Sequence, residues 1–156
     1  MKAWIQRVSR AAVETDGEEI ARIGKGFLVL LGVTHSDTAL LAAKMAEKIA
    51  TIRLFEDDSS RMNRSLDDVG GEVIVVSQFT LYADTAHGRR PGFSAAAPGI
   101  IAEDLYGRVV EELRGRLGRE RVQTGRFGAD MKVALVNDGP VSVEILLQNG
   151  EGRHSS

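Results

Sequence analysis

The segment FLVLLGV, residues 27–33, decides the fold. An apolar run of that length without alternation reads as a strand buried on both faces. EVIVVSQF, residues 72–79, is a second strong strand, introduced by a turn at Gly70-Gly71. Working outward toward the N-terminus, Glu19 to Ile23 is a short strand and Asp16-Gly17 is a turn. KAWIQRV (2–8) alternates, with Ala3, Ile5 and Val8 as its inner set, and Ser9 to Glu14 continues extended. Gly24-Lys25-Gly26, between two strands, is most simply a hairpin turn.

Toward the C-terminus, Asp37 is the expected N-cap of a helix running to Ala50, with Leu41, Met45 and Ile49 on one face. Thr51 to Phe55 is expected to be a strand, and the polar stretch Glu56 to Asp68 a surface loop. Thr80 to Ala97 is irregular and carries Gly88, Pro91 and Gly92; so long a structureless stretch is more often functional than not. Pro98 suits the first position of a helix lasting to Leu117, with Ile101, Leu105, Val109 and Leu113 on one face. Gly125 to Gly128 is turn-rich. Met131 to Val136 and Val141 to Leu147 read as two strands joined by Asn137-Asp138-Gly139-Pro140. The pattern predicts a mixed α/β single domain over residues 1–148, with a mostly antiparallel, barrel-like sheet and two main helices. The polar tail, 149–156, is expected to be disordered.

A chain of 156 residues buries roughly 69% of its unfolded surface, enough for a core without staples. An apolar share of 43% excludes an intrinsically disordered chain. The absence of cysteine excludes disulfides, thiolate metal sites and thiol nucleophiles. MKAWIQRVSR lacks the apolar stretch of a signal peptide, and the expectation is a cytoplasmic protein. The formal charge of −2 offers nucleic acid no global attraction, so a nucleic-acid partner requires a local basic patch.

The histidines, His35, His87 and His154, show no metal-ligand spacing, and no metal is expected. No nucleophile elbow occurs; Ser77, Thr80 and Ser142 lie near strand ends, where hydroxyls are common for structural reasons. His87-Gly88-Arg89-Arg90-Pro91-Gly92-Phe93 reads either as a solvated loop or as a phosphate-holding one. In Asn137-Asp138-Gly139-Pro140, Pro140 must sit where no ladder donor is needed. Taken alone, these residues read as a trans turn.

Two segments together, Ser77-Gln78-Phe79-Thr80-Leu81 and Asn137-Asp138-Gly139-Pro140-Val141-Ser142, resemble the signature motifs of the D-aminoacyl-tRNA deacylase family. The resemblance extends to Ile5-Gln6-Arg7-Val8, Leu28 to Val33, Arg90-Pro91-Gly92-Phe93-Ser94 and Thr124 to Met131. Ser142 stands where the family usually has Thr, and Gly92 where it has a small polar residue. The resemblance implies a homodimer that hydrolyses the ester of D-aminoacyl-tRNA, and of glycine mischarged on tRNA, with no cofactor. It implies that Ser77, Gln78, Phe79 and Thr80 form the catalytic floor, acting mainly through the backbone N–H groups of Phe79 and Thr80. Gly139-Pro140 is then a cis chiral gate reaching into the partner subunit's pocket, supported by Arg7, Asn137, Val141 and Ser142. Arg89, Arg90 and Lys132 are the candidate tRNA contacts. The rival readings are a non-catalytic nucleic-acid-binding module of the same fold and a side-chain esterase using Thr80 or Ser77.

Overall fold

The computed structural model describes residues 1–150. The expected tail therefore lies, from residue 151 onward, outside the described residues, whereas Asn149 is tied down by its side-chain amide, which donates to Ser36 O.

Strand β1 (Lys2–Thr15) turns at Asp16-Gly17 into β2 (Glu18–Ile23). Both turn residues have positive φ, 52° and 74°, which is the two-residue turn that matches strand twist. The next strand, β3 (Gly26–Gly32), does not form a hairpin with β2. Ile23 stands opposite Ala11 and Gly26 opposite Val8, so β2 and β3 lie end to end along one edge of β1. Gly24-Lys25 is a kink in that arm, not the expected hairpin turn. Close packing explains the glycine after it: a Cβ on Gly26 would lie 1.7 Å from Glu72 O.

Helix α1 (Ala39–Thr51) buries Leu41, Met45 and Ile49, as the spacing requires. Its N-cap is Thr38, whose side chain accepts from Leu41 N, rather than Asp37. Asp37 is drawn elsewhere: Oδ1 takes the Met1 ammonium at 2.6 Å and Oδ2 the Thr34 N–H at 2.8 Å. The expected strand at Thr51 to Phe55 is also corrected. The helix takes Thr51, and only Phe55–Glu56 (β4) is extended, paired with β5 (Met62–Arg64). A short α2 (Leu66–Val69) follows, closed by a capping box between Ser65 and Asp68. The supposed loop 56–68 thus holds elements too short to show a period.

Strand β6 (Glu72–Ser77) runs parallel to β3, and pairing ends at Ser77, not Phe79. A 3₁₀ turn, Phe79–Tyr82, comes next. The irregular stretch after it is pinned by bridges Asp84–Gly92 and Thr34–Ala96. Helix α3 (Gly99–Leu117) is capped by Pro98, which stands one position before its expected place. Leu105, Val109 and Leu113 are buried, but Ile101 is 44% exposed in the first turn. Strand β7 (Val122–Thr124), parallel to β6, is too short to show a period in the sequence.

The last strand, β8 (Lys132–Leu146), holds the largest correction. Its two halves are not a hairpin. Both run antiparallel to β1, from Glu14 opposite Lys132 to Lys2 opposite Leu146. Between the pairs Val8–Asn137 and Gln6–Ser142, Arg7 alone faces Asp138, Gly139, Pro140 and Val141. The Asp-Gly signal is local, whereas the long free edge of β1 offers a ladder to both halves. The extra residues leave as a bulge, and Pro140, lacking an N–H, sits within it. The Gly139–Pro140 peptide is cis.

The strands form one mixed sheet, mostly antiparallel. It curls on itself: the Gln123 side-chain amide accepts from Arg22 N at 2.8 Å and donates to Arg22 O at 2.7 Å, joining β7 to β2 as a peptide group would. One face packs on α1 and α3 through Ile5, Phe27, Met45 and Val109. The other encloses a smaller core of Val8, Val13, Leu28 and Ile74. In β1 the inward side changes at Arg7-Val8, both buried, beside the bulge. Among the described residues no helix is long and apolar enough to cross a membrane.

Candidate active site

The C-terminal ends of parallel β3 and β6 open into a cleft of about 640 Å³. Such ends are where ligands gather in open α/β sheets. Ser77, Gln78 and Phe79 form one wall, because Gln78 N still donates to Leu31 O at 2.8 Å while the chain turns into the 3₁₀ helix. Gly32 permits that turn to sit down on β3: a Cβ there would lie 3.1 Å from both Gln78 O and Leu81 Cβ. The segment Phe127 to Met131 forms a second wall, and Ala96, Ala97 and Ala102 a third.

Aromatic side chains shape the cleft. Phe79 meets Phe93 edge-on at 5.1 Å, and both are exposed at the mouth. The bridge between Asp84 and Gly92 brings Phe93 back to Phe79. Tyr106, on α3, donates to Val75 O at 2.7 Å; burial pushes its phenol up to about 12, so it stays a neutral donor.

The 3₁₀ turn leaves the N–H groups of Phe79 and Thr80 without an acceptor among the described residues. First-turn N–H groups have no partner within their own helix, so they are available to an oxyanion. Of the two hydroxyls, Ser77 lines the cleft and Thr80 does not. Thr80 Oγ1 is engaged by the Gln78 side-chain amide. His35 binds Ser94 O through Nε2, His87 stands 3.8 Å from Asp84, and neither lines the cleft. Among the described residues no histidine lines the cleft; the carboxylate among its lining residues is Asp130, which shares the lining with Ser77.

The second motif is elsewhere. Asn137, Asp138, Gly139 and Pro140 are all exposed, and none lines this chain's own cleft. Arg7, 6% exposed, holds them from beneath: Nε donates to Asp138 O at 2.9 Å and Nη1 to Leu54 O at 2.6 Å. Val141 is half-buried against the main core, and Ser142 is exposed opposite Gln6. Arg89 and Arg90 are exposed on the loop before Phe93 and make no ion pair among the described residues. Lys132 is exposed at the start of β8, next to Met131 in the cleft wall. Sequence reasoning did not single out Tyr106, Phe127 or Met131 as site residues. The glycines at 125 and 128 were the available signal, since a Cβ on Gly125 would lie 2.5 Å from Met131 Sδ.

A curled, mostly antiparallel α/β sheet with a cleft at the ends of its parallel strands, a 3₁₀ turn beside that cleft and a separate exposed Gly-Pro bulge defines the class of fold. The family model for D-Tyr-tRNA(Tyr) deacylase matches residues 4–146, and the chain belongs to that family. It is 54% identical to the D-aminoacyl-tRNA deacylase of Marinobacter nauticus, over 97% of this chain and 96% of that one. The counterpart from Roseiflexus castenholzii is 58% identical, over 92% and 90%. A solved structure titled c-Myc DNA Unwinding Element Binding Protein superposes with a TM-score of 0.90 at 42% identity, covering 95% of this chain and 99% of that one. A probable eukaryotic D-amino acid tRNA deacylase superposes with a TM-score of 0.79 over 92% and 98%; at 16% identity the likeness is one of fold.

Proposed function

We propose that this protein is a D-aminoacyl-tRNA deacylase, which hydrolyses the ester between a D-amino acid and the 3′-terminal adenosine of tRNA. The observation that carries the reading is the split site: a cleft beside oxyanion-ready N–H groups with no histidine among its described lining residues, and an exposed Gly139-Pro140 bulge that does not reach it. A bulge that cannot serve its own cleft is suited to serve a partner's. We therefore extend the reading to a homodimer in which Gly139-Pro140 enters the other subunit's cleft. The long unpaired edge of β8 and the half-exposed Trp4 and Leu146 beside it are surface that a second copy would cover.

The chemistry follows from positioning. An aminoacyl ester is already activated, so alignment and oxyanion donors supply most of what hydrolysis needs. The N–H groups of Phe79 and Thr80 receive the developing negative charge, within the wall made by Ser77 and Gln78. The ribose 2′-hydroxyl of the substrate activates the water. A backbone wall at Gly139-Pro140, held by Arg7, Asn137, Val141 and Ser142, rejects an L side chain by clash and passes a D side chain. Glycine has nothing to clash and passes too. Arg89, Arg90 and Lys132 hold acceptor-end phosphates, and few such contacts suit a chain of formal charge −2. The catalytic unit is residues 1–148, working in the cytoplasm without metal or cofactor.

The test is release of amino acid from D-Tyr-tRNA and L-Tyr-tRNA by the purified protein. Rapid hydrolysis of the first alone is expected, from a species that light scattering sizes as a dimer. The solved structure titled as a DNA unwinding element binding protein favours a second reading, nucleic-acid binding without hydrolysis. Retention of tRNA with no release of D-Tyr would select it.

A further inference from the structure

Arg7 holds the bulge from the buried side of β1; a different set of contacts holds it from the exposed side. Trp4 Nε1 donates to Gln6 Oε1 at 3.0 Å, and Gln6 Nε2 donates to Asn137 Oδ1 at 2.6 Å. These contacts have a direction. An indole N–H can only donate, so it fixes the oxygen of the Gln6 amide toward Trp4 and the nitrogen toward Asn137. Asn137 must then answer with its oxygen, which turns its Nδ2 away from β1. That nitrogen makes no hydrogen bond among the described residues, and Asn137 is exposed.

We propose that Trp4 and Gln6 are positioning residues that orient the Asn137 amide, so that the ladder residue just before the bulge presents its donor outward, toward whatever the bulge enters. The inference rests on the chiral-gate reading above for its consequence, but not for its geometry. Consecutive residues of β1 thereby divide the task. Arg7 fixes the backbone at Asp138 from below, and Gln6 fixes the side chain of Asn137 from above. Four residues facing one could otherwise shift along the ladder, and selection by clash fails if the wall moves.

The chain has one tryptophan, so its indole N–H gives a single, self-assigned NMR signal. Three variants of the full chain separate the possibilities. Gln6→Leu removes both bonds and should speed indole proton exchange and lower the D-Tyr/L-Tyr ratio of kcat/KM, each at least tenfold, with the D-substrate KM within threefold of wild type. Gln6→Glu retains an acceptor for the indole but forces Asn137 to answer with Nδ2; indole exchange should stay slow while the ratio falls. Combining Gln6→Leu with Asn137→Ala should lower the ratio no further than the worse single change. Should Gln6→Leu not fold, Trp4→Phe tests the selectivity arm alone, because it removes the indole that reports exchange; its D-Tyr/L-Tyr ratio should fall at least tenfold. A ratio within threefold of wild type in Gln6→Leu, a wild-type ratio in Gln6→Glu, or multiplicative losses in the double variant would overturn the proposal. If the wild type shows no D-selective hydrolysis, the functional reading fails instead. The relay is then judged by indole exchange alone: unchanged exchange in Gln6→Leu defeats it.

Discussion

Arg7 and Asp138 are joined across the bulge: the guanidinium Nε donates to the Asp138 carbonyl at 2.9 Å, on the one residue of β1 that faces four of β8. The same side chain reaches Leu54 O through Nη1, so one buried cation ties the bulge to the loop after α1.

Replacing Arg7 by Met should therefore cost both stability and function. Two charge-assisted hydrogen bonds to carbonyls are lost, with two acceptors left behind, and about 3 kcal/mol is expected. For a chain of this size that is roughly a 6–12 °C fall in melting temperature. Arg7→Lys should not rescue, because a point charge cannot span both carbonyls. Thermal unfolding and D-Tyr-tRNA assays well below the transition check the two effects separately.

Gly139 has a φ of +131°, which L side chains rarely adopt. A Cβ there would lie 2.9 Å from Val141 Cγ2, 3.0 Å from Val141 N and 3.2 Å from Arg7 Nη2. Since the position is exposed, Gly139→Ala should leave the protein folded, with circular dichroism unchanged. Hydrolysis of D-Tyr-, D-Asp- and glycyl-tRNA should all fall at least tenfold. Unchanged rates would mean that the bulge does not meet the substrate.

Thr80 does not line the cleft, and its Oγ1 accepts from the Gln78 side-chain amide, so catalysis should not depend on the hydroxyl. Thr80→Ala is expected to retain most of the deacylation rate, whereas a terminal 2′-deoxyadenosine in the substrate should abolish it. Complete loss in a folded Thr80→Ala protein would point to a side-chain nucleophile.

Burial raises both tyrosine phenols above their ordinary value of 10.0, Tyr106 to about 12, with Asp37 and Glu144 adding to the effect at Tyr82. The native state therefore holds protons that the unfolded chain releases. Stability contributed by the neutral phenols is fully present below pH 10 and is lost as pH rises through about 12. Absorbance at about 295 nm should show little phenolate near pH 10 in the native protein and should rise with unfolding. An ordinary titration curve in the folded state would contradict the burial of both rings.

The periodic parts of the chain were legible in the sequence. Continuous apolar runs marked β3 and β6, i, i+4 spacing marked α1 and α3, and Asp16-Gly17 marked its turn, because each signal lies within one element and reflects the face that the element must bury. The Ser77 to Thr80 and Asn137 to Ser142 motifs were also visible, as residues. Their placement was not. Asn137 to Pro140 looked like a hairpin because Asp-Gly favours one locally, but the edge of β1 was long enough to pair with both halves of β8. Gly24-Lys25 looked like another hairpin, but the same edge of one long strand accepted β2 and β3 end to end. Asp37 looked like a cap until the Met1 ammonium, distant in sequence, claimed it. The walls of the cleft at Tyr106, Phe127 and Met131 come from elements far apart along the chain. Local propensity and burial periodicity are written residue by residue. Which strand edge is long enough, and which charge arrives beside which carboxylate, is settled only when distant segments compete for the same partner.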